Sequence, residues 1–214
     1  MAMNFNLNNI SNIIFDLGGV ILNIDPQRTI EEMGKLGIKD FDGIYSQIKQ
    51  NHVFDDLEKG LISEREFVEA VQEYSGIKAG PEEIIRCWNC LLLDFPPQRI
   101  ELLQNLKKSE RYNTYLLSNT NGIHKKVYNQ MLRDQFGIDG LEALFNKAYF
   151  SHEIHMRKPD REIFEYVLRD SNMDPEKTLF IDDSEVNTQA AQKLGIKTYL
   201  VDSDNSITAL FSQR

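Results

Sequence analysis

The chain has 214 residues, 41% of them apolar, and a formal net charge of −9, so it can form one domain with a large insertion or two small domains around a buried core. The negative charge and the lack of a basic run argue against a nucleic-acid partner, because phosphate backbones require clustered Lys and Arg. No stretch approaches the ~20 apolar residues of a membrane span, so we expect a soluble, cytoplasmic protein without a membrane partner. We also expect either a monomer or a weak homodimer.

The first predicted strand ends at an aspartate. Residues 12–20 read N-I-I-F-D-L-G-G-V, so that a short apolar run leads directly into Asp16. Short apolar runs with polar ends, separated by helical patterns, are typical of the buried strands of a parallel sheet. The ligand crevice of such a sheet lies beyond the carboxyl ends of its strands. We therefore expect Asp16 to face that crevice.

A long helical insertion follows the first strand. Asp16 and Ser118, which close the first two apolar runs, are 102 residues apart, whereas a strand–helix–strand unit needs only about 30 residues. Apolar residues at helical spacing predict helices over residues 26–36 and 41–48, a helix beginning at Ser63 with a capping box to Glu66, and a helix beginning at Pro81. We predict that residues 22–97 form a helical cap domain, and that residues 1–21 and 98–214 form the core domain.

The rest of the chain alternates strands with helices. Strands are predicted at residues 115–117, 148–150, 178–181 and 198–201, and the helical patterns between them cover about residues 124–135, 163–168 and 184–194. This alternation predicts an α/β fold, a doubly wound, Rossmann-like parallel sheet with right-handed crossovers. The strand ends carry Ser118 and Asn119 after the second strand, and Asp182 and Asp183 after the fourth.

These polar strand ends are suited to phosphoryl chemistry. Asp16, Asp182 and Asp183 would repel one another unless a cation lay between them, and oxygen ligands without Cys or His favour Mg²⁺. Lys158 offers a compact positive charge to a phosphate group, and Ser118 can donate a hydrogen bond to it. An aspartate in this setting can attack phosphorus and form an acyl phosphate, which water then hydrolyses.

Four segments in order carry a family resemblance: F-D-L-G-G-V, L-L-S-N-T, R-K-P-D and F-I-D-D-S. With them the chain resembles the haloacid dehalogenase (HAD)-like hydrolase superfamily, with a helical cap of the C1 type after the first strand. It is most similar to the branch that includes α-glucose-1-phosphate phosphatases. The resemblance implies that Asp16 is the nucleophile and a Mg²⁺ ligand, that Gly18 offers its backbone carbonyl to the ion, and that Asp183 completes the protein ligands. Asp182 would be an additional ligand or would support the others.

The same resemblance assigns the phosphate site and exposes one departure. Ser118 and Lys158 match the phosphate-binding pair of the family, and Asn119 matches a neighbouring phosphate contact. Family phosphatases usually carry a general acid two residues after the nucleophile, where this chain has Gly18. Since a general acid contributes ~10²- to 10⁴-fold in rate, its absence favours substrates with a good leaving group, such as a sugar 1-phosphate. Asp25 is a candidate substitute.

We therefore interpret the chain as a Mg²⁺-dependent phosphatase of a small phosphate ester, with a sugar 1-phosphate as the favoured substrate. One alternative is a regulatory protein that binds phosphate with little turnover, because the general acid is missing. Another is a 2-haloacid dehalogenase, although the acidic pair Asp182 and Asp183 favours phosphate. Substrate selection is expected from the loop with Glu58 and Lys59, whose alternative interpretation is a solvated helix junction.

Overall fold

Five parallel strands form one sheet in the order β3-β2-β1-β4-β5. The structure is a computed structural model that describes residues 7–38, 52–203 and 205–212. The strands are β1 (Asn12–Phe15), β2 (Asn113–Ser118), β3 (Lys147–Phe150), β4 (Thr178–Asp182) and β5 (Lys197–Leu200). The doubly wound α/β fold is confirmed. Its central strand is β1, which pairs with β2 on one side and β4 on the other.

Helices cover both faces of the sheet. Their bounds in chain order are α1 Pro26–Lys35, α2 Val53–Glu58, α3 Glu64–Ser75, α4 Pro81–Trp88, α5 Pro97–Ser109, α6 Gly122–Phe136, α7 Ser151–Ile154, α8 Arg161–Asp170, α9 Glu185–Gln192 and α10 Ile207–Ser212. Side chains alternate along β1, so that Ile13 and Phe15 pack with α5, α6 and α10, whereas Ile14 packs with α8 and α9. Both faces are therefore buried, as a parallel sheet requires.

Local sequence signals begin several of these helices where predicted. The Ser63 hydroxyl accepts from the backbone N–H of Glu66, and the Glu66 carboxylate accepts from the backbone N–H of Ser63, which is the predicted capping box at the start of α3. Pro26 and Pro81 occupy the first positions of α1 and α4, where the missing N–H has no cost.

A third apolar cluster is built mostly from the segment between β1 and β2. Its buried residues come from α1 to α4, from Ile38 after α1 and from Ile123 of α6, and they include Met33, Leu57, Phe67, Val71 and Ile84. The predicted helix over residues 41–48 lies outside the described residues. Within the part of the chain that the structure describes, no helix is long and apolar enough to cross a membrane.

An aromatic stack joins α2 and α4 to α6. Trp88 of α4 lies parallel to Phe54 of α2, with ring centroids 5.3 Å apart, and parallel to His124 of α6 at 5.4 Å. The Nδ1 atom of His124 is 2.8 Å from Oδ1 of Asn89. Stacked rings of this kind contribute about 0.5–1.5 kcal/mol beyond the area they bury. The stack therefore attaches the helical insertion to the helix that follows β2.

We expect His124 to make the fold sensitive to acid. Burial lowers the pKa of His124 to about 4, whereas an unfolded histidine titrates near 6.5. Above pH 6.5 neither state binds the proton. Below it the unfolded chain takes up a proton that the fold excludes, so stability falls until pH 4. Linkage gives a loss of about 2 kcal/mol between pH 7 and pH 5 from this group.

The measurement is urea unfolding of the wild type and of His124→Gln at pH 7 and pH 5. The wild type should lose about 2 kcal/mol more than the variant over this interval, because glutamine does not titrate. The exposed Gln130 of α6 provides the matched control, and Gln130→Ala should keep the wild-type dependence on pH. An equal pH dependence in wild type and His124→Gln would show that the imidazole takes up its proton in the folded state.

Candidate active site

Polar side chains from three adjacent strands meet at the carboxyl edge of the sheet. Asp16 follows β1, Ser118 is the last residue of β2, and Asp182 is the last residue of β4. The backbone N–H of Asp16 donates to the carbonyl oxygen of Ile181 at 2.8 Å and so continues the ladder between β1 and β4. All three side chains are buried. The sequence prediction that these strand ends face one crevice agrees with this geometry.

Lys158 lies at the centre of the site. Its side chain is only 1% exposed, and its Nζ atom donates to Oδ1 of Asp16 and to Oδ2 of Asp182, each at 2.7 Å. Burial alone lowers the pKa of Lys158, but the two carboxylates more than offset this, and the pKa is raised overall. Lys158 therefore remains a cation in an otherwise dry environment.

Asp182 is fully occupied by protein donors. Besides Lys158, its carboxylate accepts from the backbone N–H of Ser184 at 2.8 Å and from the Asn187 amide at 3.1 and 3.2 Å. These hydrogen bonds hold the side chain of Asp182 in place. Asn187 was not among the predicted site residues, although it lies in the first turn of the helix after the acidic pair. That placement is the signal by which the sequence could have revealed it.

The three acids form a cluster that could hold a cation. One carboxylate oxygen each of Asp16, Asp182 and Asp183 lies within 4.8 Å of the others. Burial raises the pKa of Asp16 to about 7, with Lys158 opposing and Asp182 adding to the effect. Partial burial and the charge of Asp182 also raise the pKa of Asp183. The negative charge concentrated here is therefore only partly neutralised by Lys158.

Gly19 permits the loop after β1 to approach Asp183. Its φ angle is +69°, and a Cβ atom built on it would lie 2.1 Å from Oδ2 of Asp183. Any other residue would therefore collide with a member of the acidic cluster. The sequence analysis missed this role of Gly19, although a Gly-Gly pair directly after a strand-end acid indicates a close backbone approach.

Gly18 faces an aliphatic side chain rather than open space. A Cβ atom at this position would lie 3.0 Å from Cδ1 of Ile24 and 3.8 Å from its Cγ1. The space that a side chain two residues after Asp16 would enter is thus filled by Ile24. The Asp25 side chain caps α1 by accepting from the backbone N–H of Gln27 at 3.1 Å.

The side-chain amide of Asn119 binds both backbone polar groups of Lys158. Its Oδ1 accepts from the N–H of Lys158 at 2.9 Å, and its Nδ2 donates to the carbonyl of Lys158 at 2.8 Å. These bonds hold the loop that carries the lysine, and the predicted phosphate contact of Asn119 stays a prediction. Ser118 has its Oγ 3.5 Å from the carbonyl of Asn119, so its hydroxyl has only a weak protein partner.

Glu58 and Lys59 lie against the loop that carries Lys158. Glu58 ends α2, with its Oε2 atom 3.0 Å from Nε of Arg157, and Lys59 has its Nζ atom 3.5 Å from Oδ2 of Asp160. Burial raises the pKa of Glu58, with Arg157 opposing the shift. The two residues are thus close to the site in space, and both face charged protein groups rather than solvent alone.

Comparison with known proteins places these residues in a family. Residues 10–209 match the family model of haloacid dehalogenase-like hydrolases. The chain is 33% identical to a D-ribitol-5-phosphate phosphatase of Bacteroides thetaiotaomicron, with 89% of this chain and 91% of the relative covered. It is 27% identical to a phosphorylated carbohydrates phosphatase of Thermotoga maritima, with 86% and 82% covered.

A solved structure shows the same likeness. It is a HAD family enzyme of Bacteroides thetaiotaomicron in complex with magnesium and inorganic phosphate. The superposition gives a TM-score of 0.85 at 39% identity and covers 94% of this chain and 99% of that chain.

Proposed function

Because the chain belongs to the haloacid dehalogenase-like hydrolases, we propose that it is a Mg²⁺-dependent phosphatase of a phosphorylated carbohydrate. One observation carries the proposal. One oxygen each of Asp16, Asp182 and Asp183 lies within 4.8 Å of the others, and the buried cation described among these three carboxylates is the single ammonium of Lys158. The names of the relatives in Bacteroides and Thermotoga and the magnesium and phosphate in the similar structure support it.

The donor set fits a hard divalent cation. All the side chains of the cluster are carboxylates, and among the residues that the structure describes no Cys or His belongs to it. Oxygen ligands of this kind suit a hard cation such as Mg²⁺. We propose that Asp16, Asp183 and the backbone carbonyl of Gly18 bind Mg²⁺. In this proposal Asp182 does not bind the ion itself, since its two oxygens already accept from Lys158, Ser184 and Asn187. When bound, the ion neutralises charge on the phosphate and draws it towards Asp16.

In the proposed reaction Asp16 is the nucleophile. One of its oxygens forms a bond to phosphorus, while the bond from phosphorus to the leaving oxygen breaks and its electron pair departs on that oxygen. Lys158 neutralises the phosphoryl oxygens, and the Ser118 hydroxyl donates a hydrogen bond to one of them. The departed oxygen takes a proton from solvent and leaves as the alcohol. Water then attacks phosphorus in the aspartyl phosphate and loses a proton to solvent, while the bond from phosphorus to the Asp16 oxygen breaks and its electron pair returns to Asp16, which releases inorganic phosphate.

We propose that residues 22–97 act as the cap domain over a core made of residues 1–21 and 98–214. The separate apolar cluster of α1 to α4 supports this division. Glu58 and Lys59 would then contact the carbohydrate part of the substrate, because they lie beside the loop that carries Lys158. Closure of a cap would exclude water while the aspartyl phosphate forms.

The proposal favours a sugar 1-phosphate. Gly18 carries no side chain and faces Ile24, so a departing oxygen meets no acid at that position. A substrate whose leaving oxygen is acidic depends least on such a group. A polyol 5-phosphate is the second candidate, because the relative in Bacteroides is named for D-ribitol 5-phosphate.

A metal-supplemented panel of phosphorylated sugars and polyols tests this proposal. We expect phosphate release that needs Mg²⁺ and stops with a chelator, with a kcat/KM for sugar 1-phosphates about 10-fold or more above that for ribitol 5-phosphate and sugar 6-phosphates. The double variant Gly18→Asp, Ile24→Ala supplies a carboxyl group and room for it. It should therefore lower the ratio of kcat/KM for sugar 1-phosphates to kcat/KM for the other substrates.

The panel also separates the alternatives. Binding of inorganic phosphate without turnover of any ester would indicate a regulatory protein instead. Halide release from a 2-haloacid without metal would indicate a dehalogenase. Equal or faster turnover of ribitol 5-phosphate would overturn the leaving-group argument and leave the phosphatase assignment intact.

A further inference from the structure

A second group of charges lies beside the catalytic lysine, and the metal and phosphate site does not use it. Arg157, which precedes Lys158, is half-buried and reaches across to α2. Its Nη1 atom is 2.6 Å from Oδ1 of Asp55, and its Nε atom is 3.0 Å from Oε2 of Glu58. These partners lie about 100 residues away along the chain, in the insertion between β1 and β2.

Other contacts join the same two segments. The Nδ1 atom of His155 is 2.7 Å from the carbonyl oxygen of Lys59, and the ammonium of Lys59 is 3.5 Å from Asp160. Gly60 lies so close that a Cβ atom on it would be 2.2 Å from the carbonyl oxygen of His152. The turn from α2 into α3 is therefore in direct contact with the loop that carries Lys158.

The loop itself is also held by Asn119. Because the Asn119 amide binds both the N–H and the carbonyl of Lys158, the lysine backbone cannot shift without breaking these bonds. Arg157 adds a second attachment one residue earlier, and its partners are the half-buried Asp55 and Glu58. The loop is thus attached at two consecutive residues, at Lys158 by hydrogen bonds to its backbone and at Arg157 by ion pairs.

We propose that Arg157 is a positioning residue for the phosphatase reaction: through Asp55 and Glu58 it ties α2 to the loop that carries Lys158, so that correct seating of α2 sets the place of the Lys158 ammonium. The inference rests on the proposed function. Phosphoryl transfer requires an accurately placed Lys158 ammonium, because a misplacement of a catalytic group by about 1 Å can cost ~10²-fold in rate. Arg157 itself touches neither Asp16 nor Asp182 among the described contacts.

Kinetics of Arg157→Ala, Asp55→Ala and the double variant test the inference. We expect each single variant to lower kcat about 10- to 100-fold, and to raise the inhibition constant of inorganic phosphate, while the Mg²⁺ concentration at half-saturation stays unchanged. Since both substitutions break one contact, the double variant should be no worse than Arg157→Ala. Arg157→Lys should recover part of the loss, because it can still pair with Asp55.

Lys147→Met provides the matched control. Lys147 pairs with Asp170 at the opposite edge of the sheet, where β3 begins, and its loss should leave kcat and phosphate inhibition unchanged. A purely structural Arg157 would give lower thermal stability with an unchanged kcat per folded molecule. That result would overturn the proposal.

Hydrogen exchange tests the coupling without relying on catalysis. Asp55→Ala should speed amide exchange in residues 152–160, although the substituted residue lies about 100 positions earlier in the chain. Unchanged exchange there would overturn the coupling. If the wild type hydrolyses no phosphate ester but this exchange rises, the proposed function fails while the coupling between the two segments stands.

Discussion

Replacement of Asp16 by asparagine should abolish phosphate release and leave the protein folded. The amide keeps the shape of the side chain but is far too weak a nucleophile, so we expect a loss on the order of 10⁴-fold or more. Folding should survive, because burial already raises the pKa of Asp16 to about 7 and a neutral group fits this environment. Lys158 also retains Asp182 as a partner.

The measurement combines Mg²⁺-dependent phosphate release with urea unfolding of the same preparation. Asp170→Asn is the matched control, since it makes the same exchange at the opposite edge of the sheet, where Asp170 pairs with Lys147. This control should keep full activity. Undiminished hydrolysis by Asp16→Asn would rule out an aspartyl phosphate at position 16, and with it the proposed mechanism.

Replacement of Lys158 by methionine should cost both activity and stability. The lysine is buried between two carboxylates, and its removal leaves their negative charge buried without this cation. Breaking a buried ion pair in this way typically costs about 3–5 kcal/mol in the free energy of unfolding. Added Mg²⁺ should restore more stability to this variant than to the wild type, because it would neutralise the same carboxylates.

Urea unfolding with and without Mg²⁺ measures both effects. Lys147→Met removes an ion pair whose lysine is 49% exposed, and it should cost no more than about 1 kcal/mol. If Lys158→Met and Lys147→Met were equally stable without metal, Lys158 would not be compensating the charge of Asp16 and Asp182. Stabilisation by Mg²⁺ of equal size in all three proteins would argue against the proposed metal site.

The sequence was sufficient to predict the sheet and its polar edge. Apolar runs that end in Asp16, Ser118 and Asp182 could be recognised locally, and the geometry of parallel sheets then brings their ends together. The order of the strands could not be read in the same way, since it depends on which strands pack side by side. Helix starts at Ser63 and Pro81 were predictable because their signals lie within a few residues.

Long-range contacts within the site could not be predicted from the sequence. The pairing of Arg157 with Asp55 joins residues 102 positions apart, and many other acids in the chain could have served equally well. The same holds for the bonds between the Asn119 amide and the backbone of Lys158, which join residues 39 positions apart.

The charges around Lys158 come from distant parts of the chain: Asp16 precedes it by 142 residues, and Asp182 follows it by 24. During translation, β1 gains its β4 neighbour only when most of the polypeptide has left the ribosome. Until then one side of the central strand is an open edge that other nascent chains could pair with. A product truncated before β4 would keep this open edge and would lack Asp182 and Asp183, so we expect it to be inert and prone to aggregate.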